Sequence, residues 1–110
     1  MVRSVDHKKK FNDLVNLHYK ELKTTSKYAE KLNINPSYLN TLVKEILDIT
    51  AGQVIKNRII LKAERLLLHS SLSITEVSYK LGFNDNSHFG KYFKSVKGVS
   101  PNNFRIVQLK

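Results

Sequence analysis

The sequence contains itself once over. The segment Ala29-Glu30-Lys31-Leu32-Asn33-Ile34, displaced by 49 residues, becomes Ser78-Tyr79-Lys80-Leu81-Gly82-Phe83. Ser37, Leu39, Thr41, Val43 and Lys44, displaced by 50, become Ser87, Phe89, Lys91, Phe93 and Lys94. Small, lysine, leucine, turn and apolar positions return in the same order, and the second copy has one more residue in its turn. A repeat of this length is one supersecondary unit used twice, so any fold for one half must also serve the other. A chain of 110 residues has material for one modest domain.

The unit is helical. Gly and Pro number only 4 and 2, no Asn-Gly or Asp-Gly hairpin signal occurs, and apolar residues recur at three and four. Phe11, Leu14, Val15, His18, Tyr19 and Leu22 predict a first helix over roughly residues 6–23. Thr24 or Thr25 is placed to cap a second, which carries Tyr28, Ala29 and Leu32. Asn35 before Pro36 starts a third, the proline standing at the first helical position. Its expected buried stripe is Leu39, Leu42, Val43 and Ile46. A long fourth helix follows Thr50, from Ala51 to about His69, with Val54, Ile55, Ile59, Ala63, Leu66 and Leu67 inward. At 1.5 Å per residue it is about 28 Å long. Ser73 and Glu76 form a capping box for the fifth helix, which Gly82 ends. Asp85 caps a sixth, with Phe89, Tyr92, Phe93 and Val96 inward, closed by Gly98. Ser100-Pro101 opens a seventh that carries Phe104. The expected fold is all-α, about seven helices.

Each copy is therefore a short helix, a turn of about four residues and a longer helix, which is the helix-turn-helix pattern. Ala29 and Ser78 are small enough for close helix packing. Gly82 suits a positive φ in the turn and Asn33 is the next best residue there. Ile34 and Phe83 are expected to tie the turns inward.

Charge names a class of partner. Nineteen basic residues against 9 acidic give a formal net charge of +10, which attracts polyanions: nucleic acid first, an anionic surface second. There is no cysteine, so a disulfide framework and a zinc finger are excluded. No apolar run of about 18 residues is present, and residues 1–10 lack a signal-type apolar stretch. A soluble, cytoplasmic protein without a membrane partner is expected. His7, His18, His69 and His88 have no ligand spacing, so no metal is expected. No catalytic pair of acids and no glycine-rich phosphate loop points to an enzyme or a cofactor.

Leu81-Gly82-Phe83-Asn84-Asp85-Asn86-Ser87-His88-Phe89, then Phe93-Lys94, Gly98, Ser100-Pro101 and Phe104-Arg105, resemble the signature of the AraC/XylS family of bacterial transcription regulators. Residues 58–67 resemble its linker helix, and the likeness runs from about Phe11 to Arg105. Asp48 departs from a common glycine, and Ser78 from a common alanine. The resemblance implies one DNA-binding domain, 1–110, divided as a first helix-turn-helix subdomain (1–50), a linker helix (51–69) and a second subdomain (70–107). It implies that both second helices enter successive major-groove segments of double-stranded DNA. Such segments lie about 34 Å apart on one face, a spacing that the fourth helix and its ends can span. Most members also carry a sensing or dimerisation domain, which nothing here resembles. RNA polymerase is a further candidate partner, and the domain alone is expected to be a monomer.

By family position, Ser37, Asn40 and Thr41 in the first unit, and Asn86, Ser87, His88 and Lys91 in the second, are the expected base readers. Their chemistry suits it: Asn can pair with adenine by two hydrogen bonds, Lys reaches guanine acceptors, and Thr meets a thymine methyl. Lys44 and Lys94 lie further along their helices and are expected on phosphates. Gly90 is expected to admit a close approach by DNA or a neighbouring helix. Arg58, Arg65 and the Lys8-Lys9-Lys10 run are expected to be solvated, with phosphate contact as the alternative. The alternative is a basic helical module that binds RNA or an anionic surface without sequence preference.

Overall fold

The computed structural model describes residues 2–109, with side chains for 6–108. Among the described residues there are seven helices and no strand: α1 Val2–His18, α2 Thr25–Leu32, α3 Pro36–Leu47, α4 Ala51–His69, α5 Ile74–Lys80, α6 Asn86–Lys97 and α7 Pro101–Leu109. The chain divides into two compact units, Met1–Arg58 and Ile59–Lys110. The division falls inside α4, so the connecting helix contributes one half to each.

In the first unit α1, α2 and α3 bury Phe11, Val15, Tyr28, Ala29, Leu39, Leu42 and Val43. The Phe11 and Tyr28 rings meet edge to face at 5.7 Å. The Tyr28 hydroxyl donates to the Leu22 carbonyl at 2.8 Å, so a fully buried ring keeps its polar tip satisfied. α1 starts earlier and stops earlier than the apolar spacing indicates, ending at His18 rather than near 23. The amides of Glu21 and Leu22 both fold back onto the His18 carbonyl. The Lys23 ammonium, its pKa lowered by burial against the opposing pull of Glu21, donates to the carbonyls of Lys20 and Tyr19. Those bonds satisfy carbonyls that a continuing helix would have used.

The α3 stripe is shorter than expected. Leu39, Leu42 and Val43 are buried, but Ile46 is 45% exposed. Periodicity identifies the inward face of a helix and not how far its neighbours extend along it. On α4, Ile55, Ile59, Ile60, Ala63 and Leu67 are buried, whereas Val54 and Leu66 are only half-buried.

The second unit is built on aromatic rings. Phe83, Phe89, Phe93 and Phe104 are buried, with successive centroids 5.4, 5.9 and 5.3 Å apart. Tyr92 joins Phe83 at 5.2 Å, and burial pushes its phenol pKa up to about 12. α7 is fastened to α4 by Arg105, whose Nε donates to the Leu67 carbonyl at 2.9 Å. Lys97 adds an ion pair to Glu64 of α4 at 3.0 Å. Among the described residues no helix is long and apolar enough to cross a membrane.

Candidate nucleic-acid interface

The repeat holds at the level of single hydrogen bonds. Thr24 caps α2 by accepting from the Lys27 amide, and Ser73 caps α5 by accepting from Glu76. The Glu76 carboxylate in turn accepts from the Ser73 amide; the two Ser73 contacts hold its carboxyl pKa below the usual value. In the turns, Ile34 donates to the Ala29 carbonyl and Phe83 to Ser78, both at 3.0 Å. Asn33 and Gly82 both take positive φ, 56° and 86°. Asn35 and Asp85 then cap α3 and α6 with side-chain oxygens. At the far ends, Asp48 and Gly98 are both left-handed, φ 61° and 79°, and their amides return to Lys44 and Lys94. Thr50 and Ser100 start the next helices with the same bond, to the amides of Gln53 and Asn103. The sequence likeness is thus a likeness of caps and turns, which fix where α3 and α6 begin and end.

Both second helices turn a polar face outward. On α3 this face carries Ser37, Tyr38, Thr41 and Lys44, all exposed. The Thr41 hydroxyl donates to the Ser37 carbonyl at 3.0 Å. Tyr38 is 42% exposed and meets the edge of the His7 ring, from α1, at 5.9 Å. On α6 the outward face carries Asn86, Ser87, His88, Lys91 and Lys94, also exposed. The Asn86 amide donates to the Thr75 hydroxyl at 2.7 Å. The His88 ring stands edge-on to Phe83 at 5.2 Å, so a core residue sets its direction. Lys91 and Lys94 lie on the open side, while Lys97 is held by Glu64 and lies over the Phe104 ring.

Two residues sit differently from the sequence expectation. Asn40 is half-buried, and its Oδ1 accepts from the Ala51 amide at 2.9 Å, across the joint between α3 and α4. A two-bond pairing with adenine needs that same oxygen. Ala51 is fully buried, and a buried N–H left without an acceptor costs about 1–3 kcal/mol. Gly90 gives no close approach within the chain: a Cβ there would meet no atom within 4 Å. The neighbouring-helix explanation of this glycine therefore fails, because no neighbouring helix is near enough.

Arg105 was legible only as part of a family signature; its partners lie 38 and 39 residues away, beyond any local pattern. The Asn86–Thr75 bond across the turn had no sequence signal either. Among the described residues no three His, Asp or Glu side chains gather as a metal site.

Residues 28–106 match the helix-turn-helix domain family. The HTH-type transcriptional activator RhaS of Salmonella arizonae is 29% identical over 108 residues, 96% of this chain and 39% of that protein. The chain belongs to the AraC-type helix-turn-helix family. The AraC-type domain thus spans well under half the length of the RhaS protein it matches. Its fold matches the C-terminal domain of AraT, a response regulator from Geobacillus stearothermophilus, with a TM-score of 0.81 at 31% identity, covering 90% of this chain and 83% of that one. The DNA-binding domain of AdpA, solved in complex with a target DNA, shares the AraC-type fold: TM-score 0.72, 19% identity, 86% of this chain and 84% of that one.

Proposed function

We propose that the chain binds double-stranded DNA in a sequence-specific manner by setting α3 and α6 into successive major-groove segments, as the reading part of a cytoplasmic transcription regulator. The observation that carries this reading is the duplicated, separately capped second helix, each copy with a polar outer face, on a chain of net charge +10. In helix-turn-helix proteins the second helix reads base edges from its N-terminal part. Ser37 and Thr41 occupy that part of α3, and Ser87, His88 and Lys91 that part of α6. Asn86 joins them if it exchanges Thr75 for a base. Lys44 and Lys94, one turn further on, take phosphates. Burial of Phe83, Phe89, Phe93 and Phe104 withholds these rings from unpaired bases, which single-strand binders stack on aromatic side chains. RNA polymerase is a second partner for a regulator of this kind, and the domain on its own is a monomer.

The test is selection of bound sequences from a pool of random duplexes, followed by footprinting. The expected result is one site with two protected segments about 10 base pairs apart. Enrichment of no sequence, or equal binding to single-stranded RNA, would overturn the reading.

A further inference from the structure

The two copies differ at one mechanical point, the joint between the reading helix and the helix after it. In the first copy, Asn40 of α3 holds the amide of Ala51, the first residue of α4, at 2.9 Å. Ala51 is fully buried, so water does not replace that acceptor. In the second copy, 50 residues on, Gly90 stands for Asn40 and Pro101 for Ala51. Pro101 is buried too, but proline has no N–H to satisfy, and Gly90 has no side chain to offer. The cap and the backbone turn beside the joint correspond in the two copies. The cap before it is Thr50 or Ser100, bonded to the third residue on, and the left-handed residue is Asp48 or Gly98. The Asn–Ala pair and the Gly–Pro pair are two solutions of one problem, a buried donor at a helix start.

We infer that Asn40 is a positioning residue: its carboxamide fixes α3 to the start of α4, so that Ser37 and Thr41 are presented to DNA at a set angle, and it reads no base itself. This rests on the proposed entry of α3 into the major groove. Its side chain is half-buried and spent on the protein, whereas those of Ser37 and Thr41 are exposed on the outer face.

The test compares the parent chain with Asn40→Ala and with the double exchange Asn40→Gly, Ala51→Pro, which installs the second copy's solution in the first. Each is titrated against the selected duplex and a panel of its single-base changes, at a temperature where all are folded. Asn40→Ala is expected to lose about tenfold in affinity, because α3 must then be ordered on binding, with discrimination erased at no single base pair. The double exchange is expected to restore affinity and base preference together. If the double exchange is folded but blind at one base pair, Asn40 is a reader and the inference falls. If folded Asn40→Ala binds like the parent, the bond only stabilises the fold and the inference also falls. Should the exchanged protein not fold, hydrogen exchange of the Ala51 amide in the parent decides. Protection retained in the DNA complex supports the inference; protection lost on binding shows Asn40 leaving for a base and overturns it. A parent that selects no sequence at all would instead sink the proposed function, a result distinct from each of these.

Discussion

Removing Arg105 should loosen the second unit far more than its half-exposed position implies. Its Nε–H donates to the Leu67 carbonyl at 2.9 Å and its Nη2 reaches the Leu66 carbonyl at 3.5 Å. The longer contact is at the limit of a hydrogen bond and adds little. Leu66 moreover keeps the amide and hydroxyl of Ser70 as donors. The loss therefore falls on Leu67, a fully buried residue at the end of α4. A hydrogen bond to a charged group contributes about 1.5–3 kcal/mol, and a cation at a helix C-terminus about 0.3–1 kcal/mol more. Since the two overlap, Arg105→Ala should cost roughly 2–3 kcal/mol, or about 10 °C in Tm for a chain of this size. Arg105→Lys keeps the charge but not the planar fork and should recover about half. Urea unfolding with an unchanged m-value measures the cost, and hydrogen exchange should locate it in α7 and the last turn of α4. A change of less than about 0.5 kcal/mol, the range of an ordinary surface substitution, would refute the assignment of Arg105 as the fastener of α7.

Binding should weaken steeply with salt: neutralising about six phosphates gives a slope of log affinity against log salt near −5. Lys94→Ala should weaken all duplexes alike and reduce that slope by about one, whereas Lys91→Ala should cost about 1–3 kcal/mol at one or two base pairs only. A panel of single-base duplexes separates the two, and a uniform loss for Lys91→Ala would make it a phosphate contact. Asp48→Gly should stabilise the first unit by about 1 kcal/mol, because Asp48 holds φ 61° and a left-handed β-carbon is strained by about 1–2 kcal/mol; thermal unfolding measures it. Tyr92, with its folded pKa raised to about 12 from 10.0, contributes stability that is complete below pH 10 and lost as pH climbs from 10 towards 12. Stability measured across that window should fall, and Tyr92→Phe should flatten the fall.

The parts that were legible from residue order are those governed by local chemistry. Asn33, Asp48, Gly82 and Gly98 are the residue types that tolerate positive φ, and all four adopt it. Asn35, Ser73 and Asp85 are cap residues, and each caps its helix. What escaped depends on distance along the chain or on competition for one atom. Ile46 follows the helical period and is exposed nonetheless, because the period marks a face of the helix and not what packs on it. Asn40 has the chemistry of an adenine reader, but its acceptor oxygen is taken by an amide 11 residues on. Which of two partners an amide side chain prefers is set by packing, to which residue type is blind.

The two reading faces are not copies of each other even though their scaffolds are. One offers Ser37 and Thr41, short and uncharged; the other sets beside Ser87 the longer His88 and the cationic Lys91. A pair of identical heads related by a two-fold axis reads a palindrome, the same on either strand. A single chain whose heads differ, and whose order is fixed by the peptide bond, reads a text with a beginning and an end. On the proposed reading, its operator is directional: inverting the site turns the bound protein around, and whatever is attached to either terminus then faces the opposite way along the DNA.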